Sequence, residues 1–318
     1  MNISEEDRRL LARAAAFVAA QAAGEALTPE SLAALTRAGG LDFATAVLYE
    51  SLVCAPGNAA FAGAVRATGA AAPLDADLLA VVPGAFHREQ RHTGADGARV
   101  VAIARQAGCA TAVVPTASFG GLAQNAAVLL AWLARRREQR IVLLSLSKGG
   151  AEVKTALASP LAAGAFANVG AWVSLGGMVR GTPLIRWLRR RPHRWWVVRG
   201  WLWWKGHGAR ALYDLRHQPA GSGAGEWPPL PPHLRVVHVY GFPLRGHLAH
   251  PWAARGYARL APLGPNDGGG ILLADLLGLP GVVCPVWGAD HYLAPHWEIA
   301  PRLRRIIVAA AAPGPARR

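Results

Sequence analysis

The stretch RIVLLSLSKGGAEVKTAL, residues 140–157, runs through branched apolar residues into Ser145-Leu146-Ser147-Lys148-Gly149-Gly150 and then straight into a helix-like pattern. A strand that stops on a serine between small residues and turns at once into a helix is a nucleophile elbow. The sharp turn holds Ser147 in a strained conformation at the C-terminal edge of a sheet. Small neighbours let strand and helix nearly touch, and the helix N-terminus presents partial positive charge to a developing anion. Other chemistries fit the same letters less well. Ser145 to Lys148 matches S-x-x-K, but S-D-N is missing and only Lys154-Thr155-Ala156 stands in for K-T-G. A phosphate loop fails because Val153 occupies the place of the second glycine. The plain alternative is a serine that merely caps a buried helix.

A nucleophilic serine needs a base, an acid to orient that base, and an oxyanion hole. His291, in Trp287-Gly288-Ala289-Asp290-His291-Tyr292, follows the last strand candidate and so falls on the same sheet edge as Ser147. His296 is the competing base. Asp267, in Gly264-Pro265-Asn266-Asp267-Gly268-Gly269-Gly270, lies in a turn after the penultimate strand. Asp290 is adjacent to the ring it would have to orient, and Asp275 reads as a solvated or capping residue in a helix. The chain order is therefore Ser, Asp, His. The first strand ends in Val82-Pro83-Gly84-Ala85-Phe86, a glycine turn whose exposed N–H groups would pair with that of Lys148 to bind an oxyanion. The Lys148 ammonium is expected to stay free for substrate or a nearby carboxylate.

These residues need a scaffold. Strands are predicted at 78–83, 110–115, 140–147, 169–175, 234–240 and 281–286. Their continuous apolar runs suit parallel strands buried on both faces. Helices are predicted near 98–108, 122–137, 149–158 and 271–277, which gives βα alternation from residue 78 onward. Residues 1–72 read as a helical region punctuated by Thr28-Pro29-Glu30 and Gly39-Gly40. The expected α/β domain covers 73–312, with an insertion at 183–232 and a flexible tail at 313–318.

The pattern resembles the α/β-hydrolase superfamily, most of all its lipase and esterase branches, over residues 78–308. The resemblance implies a mostly parallel sheet of about six strands with helices on both faces, a helical N-terminal layer and a lid insertion. It puts the nucleophile on Ser147, the acid on Asp267, the base on His291 and the oxyanion donors on Ala85 and Lys148. Pro83 replaces the family's usual histidine in the first turn, and Ser145 replaces the first elbow glycine. The family's first two strands have no clear counterpart. The resemblance implies a serine hydrolase of carboxylic esters or thioesters, acting without metal or other cofactor. Two rivals remain: a membrane- or partner-binding module on an idle scaffold, and acyl transfer through the same triad.

Composition bounds the rest. The chain has 318 residues, 52% of them hydrophobic and 17% charged, enough for a sizeable core. Its net charge of +15 favours anionic partners. Three scattered cysteines support neither a disulfide framework nor a zinc site. Acids in MNISEEDRRLLARAAAF stand where a signal peptide carries positive charge, so a cytoplasmic protein is expected. From Arg186 to Lys205 there are six arginines, one lysine, six tryptophans and no acids. That mixture suits a lid that docks on an anionic lipid surface at the inner membrane face. Phe86, Trp187, Trp201, Trp203 and Trp204 are the candidate substrate and lid residues. The plain alternative is that the tryptophans line the pocket and pack the lid. Pro192 and Gly200 are expected to break any long helix there. Nucleic-acid binding lacks a supporting motif.

Overall fold

The computed structural model describes residues 3–21, 27–220, 222, 225–248, 250–293 and 299–312; the expected tail at 313–318 and His296 lie outside them. Four helices come first: α1 (Glu5–Ala20), α2 (Pro29–Gly39), α3 (Leu41–Cys54) and α4 (Pro56–Ala67). Ser4 caps α1 by accepting the Asp7 N–H, and Thr28 forms a capping box with Ser31 at the start of α2. Strands and helices then alternate: β1 (Leu78–Val82), α5 (Ala98–Gln106), β2 (Ala110–Val113), α6 (Leu122–Leu133), β3 (Ile141–Leu146) and α7 (Lys148–Leu157). Next come α8 (Ala162–Ala165), β4 (Val169–Leu175), α9 (Leu184–Arg189), α10 (Pro192–Trp204) and α11 (Arg210–Asp214). The chain continues through β5 (Arg235–Phe242), α12 (Pro251–Leu260), β6 (Val282–Trp287) and α13 (Ile299–Ala311).

All six strands are parallel, in the order β2-β1-β3-β4-β5-β6. Alternate residues of each strand feed opposite cores. Leu79 and Val81 of β1, Val142 and Leu144 of β3, and Val237 and Val239 of β5 pack with residues of α4, α5 and α13. Leu78, Ala80, Val82, Leu143 and Trp172 pack with residues of α6 and α7. Two covered faces are why these segments are apolar throughout rather than alternating. β2 departs from that expectation: it is an edge strand, and Val113 is exposed.

The helices differ from expectation in three places. Residues 271–277 do not form an α-helix; they hold one 3-10 turn, Leu273–Leu276, entered from a bridge between Asn266 and Leu272. Helices α12 and α13 were not anticipated. Gly200 lies within α10 without breaking it, and Pro192 starts that helix, where its missing N–H costs nothing.

The other edge strand, β6, is braced by the N-terminal helices. Val283 and Trp287 pack with Phe43, Val47 and Leu48 of α3. The Asn58 side chain of α4 accepts the Val283 N–H at 2.8 Å. An edge strand thus has part of its open ladder occupied. Among the described residues no helix is long and apolar enough to cross a membrane.

Candidate active site

Ser147 sits between β3 and α7 with φ 48° and ψ −115°, a left-handed φ that side chains other than glycine rarely adopt. The surroundings hold it there. Its N–H donates to Leu175 O at 3.0 Å, and its carbonyl accepts from Gly150 N at 3.0 Å and Met178 N at 2.9 Å. The need for small neighbours is literal. A Cβ on Gly149 would lie 2.6 Å from Val82 O, and one on Gly150 would lie 2.7 Å from Gly177 Cα. Ser145, two residues earlier in β3, is fully buried, and its Oγ accepts the Trp172 indole N–H at 2.9 Å. That bond accounts for serine where glycine is usual. Ser145→Ala is expected to keep the site's chemistry and to lower stability by about 1–3 kcal/mol, because the buried indole N–H loses its acceptor. Urea unfolding measures this.

His291 follows β6, with Nε2 2.9 Å from Ser147 Oγ and Nδ1 2.5 Å from Asp267 Oδ2. A carboxylate can only accept, so Nδ1 carries the hydrogen and the Nε2 lone pair faces the serine hydroxyl. Asp267 is fixed in turn. Its Oδ1 accepts main-chain N–H groups of Gly269 at 2.9 Å and of Gly270 and Ile271 at 3.0 Å, and its carbonyl accepts the His291 N–H at 2.8 Å. Burial pulls the His291 pKa down, but the Asp267 charge and hydrogen bond push the other way, and the net direction is upward.

Two glycines that the sequence reading left without a role hold this histidine. A Cβ on Gly269 would fall 2.0 Å from His291 Cγ, and one on Gly176 would lie 3.4 Å from Nδ1. The sequence signal was only the bare Gly176-Gly177 pair after β4 and the Gly268-Gly269-Gly270 run after Asp267. Asp275 is neither solvated nor a helix cap; its carboxylate pairs with His217 at 2.8 Å.

The turn after β1 runs beside the serine. Gly84 donates to Ala95 O at 2.8 Å and Phe86 donates to Ser118 O at 3.0 Å. The intervening Ala85 N–H has no acceptor among the described residues, and neither does that of Lys148 at the first position of α7. Of the two courses expected for the Lys148 ammonium, the structure shows the second. The side chain is 1% exposed and pairs with a nearby carboxylate, Glu152, one turn along α7, so it is not available to substrate.

These features sit on a six-stranded parallel sheet covered by helices on both faces. The structure is similar to the crystal structure of the metagenomic carboxyl esterase MGS0156, at 26% sequence identity and a TM-score of 0.51. The chain has an α/β-hydrolase, lipase/esterase-like fold. The alignment covers 67% of this chain and 64% of that esterase, so the chain spans less than two thirds of its relative's length. The mature Bacillus licheniformis lipase BlEst2 matches at 18% identity and a TM-score of 0.49, over 70% of this chain and 87% of that one. No protein-family model and no curated protein matches the sequence.

In this α/β-hydrolase fold, Ser147 and His291 open into a cavity of about 550 Å³. Phe86, Phe119, Met178, Trp201 and Leu212 give it a mainly apolar wall. Phe86 stacks on Phe119 with centroids 4.3 Å apart and meets Trp201 edge-on at 5.3 Å. The other tryptophans behave differently. Trp187 is a platform for Arg191, Arg194 and Arg259, whose guanidinium carbons lie 4.1, 5.2 and 4.1 Å from its centroid. Trp203 and Trp204 are 81% and 71% exposed and line no part of this cavity. Trp196 and Val197 of the same helix are exposed as well. Among the described residues no cluster of His, Cys, Asp and Glu could hold a metal ion.

Proposed function

We propose that the chain is a serine esterase or lipase that cleaves carboxylic esters or thioesters through an acyl-enzyme on Ser147. What carries this reading is the continuous contact from Asp267 through His291 to Ser147, ending on a strained serine in the wall of an apolar cavity. His291 takes the serine proton as Oγ attacks the carbonyl carbon. The amides of Ala85 and Lys148 receive the oxyanion, helped by the positive end of α7. His291 returns the proton to the leaving alkoxide or thiolate. Water, activated by the same imidazole, then releases the acid. The cavity is of a size that buries a small organic ligand, and its mainly apolar lining suits an aliphatic or aromatic acyl group.

A fluorophosphonate probe tests the reading against an idle scaffold. It is expected to label one site, mapped by peptide mass spectrometry to Ser147, and to leave Ser147→Ala unlabelled. Absence of labelling of the folded wild-type chain would refute the reading.

The segment 183–232 is read as the lid of this cavity, with α10 meeting an anionic lipid surface. In support, Trp201 and Leu202 turn inward while Trp196, Val197, Trp203 and Trp204 are exposed beside arginines and Lys205. Indole rings settle at headgroup depth, and each basic residue near an anionic surface contributes about 1 kcal/mol. The protein is expected to float with phosphatidylglycerol-containing liposomes at low salt and not with phosphatidylcholine alone. Replacing Trp196, Trp203 and Trp204 with Ala should release it without a change in thermal melting. Failure to float at any salt would leave α10 a lid without a membrane role.

A further inference from the structure

Lys148 and Glu152 form an ion pair that is almost completely removed from water, directly behind the serine. Such a pair is weak support for stability, since desolvating both charges offsets most of their attraction. Its hydrogen bonds lead somewhere specific. Glu152 Oε1 accepts from Asn125 Nδ2 at 2.6 Å. Asn125, itself fully buried, clasps the Ala117 peptide from both sides, accepting its N–H at 3.0 Å and donating to its carbonyl at 2.9 Å. The next residue, Ser118, accepts the Phe86 N–H on its carbonyl and the Arg88 N–H on its Oγ, and donates that hydroxyl to Glu89 at 2.5 Å.

We propose that Lys148, Glu152 and Asn125 are positioning residues that set the two oxyanion donors relative to each other. The proposal rests on the reading of Ser147 as nucleophile. One donor is the amide of Lys148, whose own side chain is anchored by Glu152. The other, Ala85, directly precedes Phe86, whose N–H hangs from the loop that Asn125 holds. Phe86 has a left-handed φ of 58°, so this turn does not keep its shape unaided. The chain of bonds thus joins the loop after β1, the loop after β2 and the start of α7, three separate stretches of sequence. Burial drives the Glu152 carboxyl pKa upward while Lys148 and Asn125 work against it. Apolar packing would fill the same volume but would leave the loop after β2 free to shift, and donors a few tenths of an ångström out of place bind the oxyanion less well.

The test separates positioning from folding. Active sites are counted by fluorophosphonate labelling, and kcat per labelled site and KM are measured on p-nitrophenyl butyrate. The inhibition constant of an alkyl trifluoromethyl ketone is measured as well, because its adduct on Ser147 carries an alkoxide in the oxyanion hole. Glu152→Gln and Asn125→Ala are expected to lower kcat about 10- to 100-fold with KM within about twofold, and to weaken the ketone in parallel. The shape-conserving pair Lys148→Met with Glu152→Leu should do the same while melting normally, which covers the case in which a single variant fails to fold. Wild-type kcat per site and unchanged ketone affinity in any folded variant would overturn the proposal. A wild-type protein that neither hydrolyses the ester nor takes the label would instead overturn the assignment of Ser147.

Discussion

Ser147→Ala is expected to lower kcat toward a p-nitrophenyl ester by about 10⁵- to 10⁶-fold, the largest effect of any single substitution here. The variant loses the attacking oxygen and nothing else of size. The strained turn is held by main-chain bonds at Leu175, Gly150 and Met178, none of which involves the hydroxyl. Among the described residues the only side-chain hydrogen bond removed is the one to His291. The melting temperature should therefore stay within a few degrees of wild type, as measured by calorimetry. The nearby Ser145 cannot substitute, because its hydroxyl is buried against Trp172. Hydrolysis within tenfold of wild type would show that another residue is the nucleophile.

Asp267→Asn is the second, with an expected loss in kcat of about 10³- to 10⁴-fold. The direction follows from the main-chain amides. Three N–H groups converge on Oδ1, so the asparagine oxygen is obliged to take that place and its NH₂ is turned toward His291 Nδ1. A donor there requires Nδ1 to accept, which puts the ring hydrogen on Nε2 and removes the lone pair that Ser147 needs. The pH profile gives a second readout. The base acts as neutral imidazole, and the Asp267 carboxylate favours the charged form, so the net upward shift delays the active form to higher pH. In the wild type, kcat/KM should rise with pH through a value above that of an ordinary histidine. In the asparagine variant burial is opposed only by the Asp290 charge, the smallest of the causes, and the residual activity should rise at lower pH. An acidic limb that stays in place would assign it to another group.

Much of this was open to inspection in the sequence. Strands covered on both faces must be apolar at every position, so 78–83, 140–147 and 169–175 announce themselves and their ends locate the turns. Ser147 and His291 each follow a strand end closely, Asp267 lies in the glycine-rich turn beyond α12, and the structure brings the three into hydrogen-bond contact. Side-chain direction was less accessible. Lys148 and Glu152 stand at i and i+4 on one helix, a spacing that suggests a pair, but its burial depends on Asn125 from a different helix. The tryptophans of α10 occupy too many faces for any period to sort them, so which enter the cavity is decided by Phe86 and Phe119 across from it. The run at 271–277 is apolar enough for a helix, yet it is spent on holding the turn after Asp267.

The bracing of β6 by α3 and α4 bears on the order in which the protein is made. A chain emerging from the ribosome exposes Ser147 with its elbow sequence complete, while the histidine proposed to activate it lies 144 residues further along. That histidine reaches the serine only when β6 takes its place, and the ledge on which β6 settles is made of α3 and α4, which precede the serine in the chain. Helices α3 and α4 therefore wait, half-covered, for a strand whose Val283 is made 225 residues after Asn58. On the proposed mechanism the serine is an ordinary alcohol until the two meet, and a nascent or truncated chain is chemically silent toward the acyl groups around it.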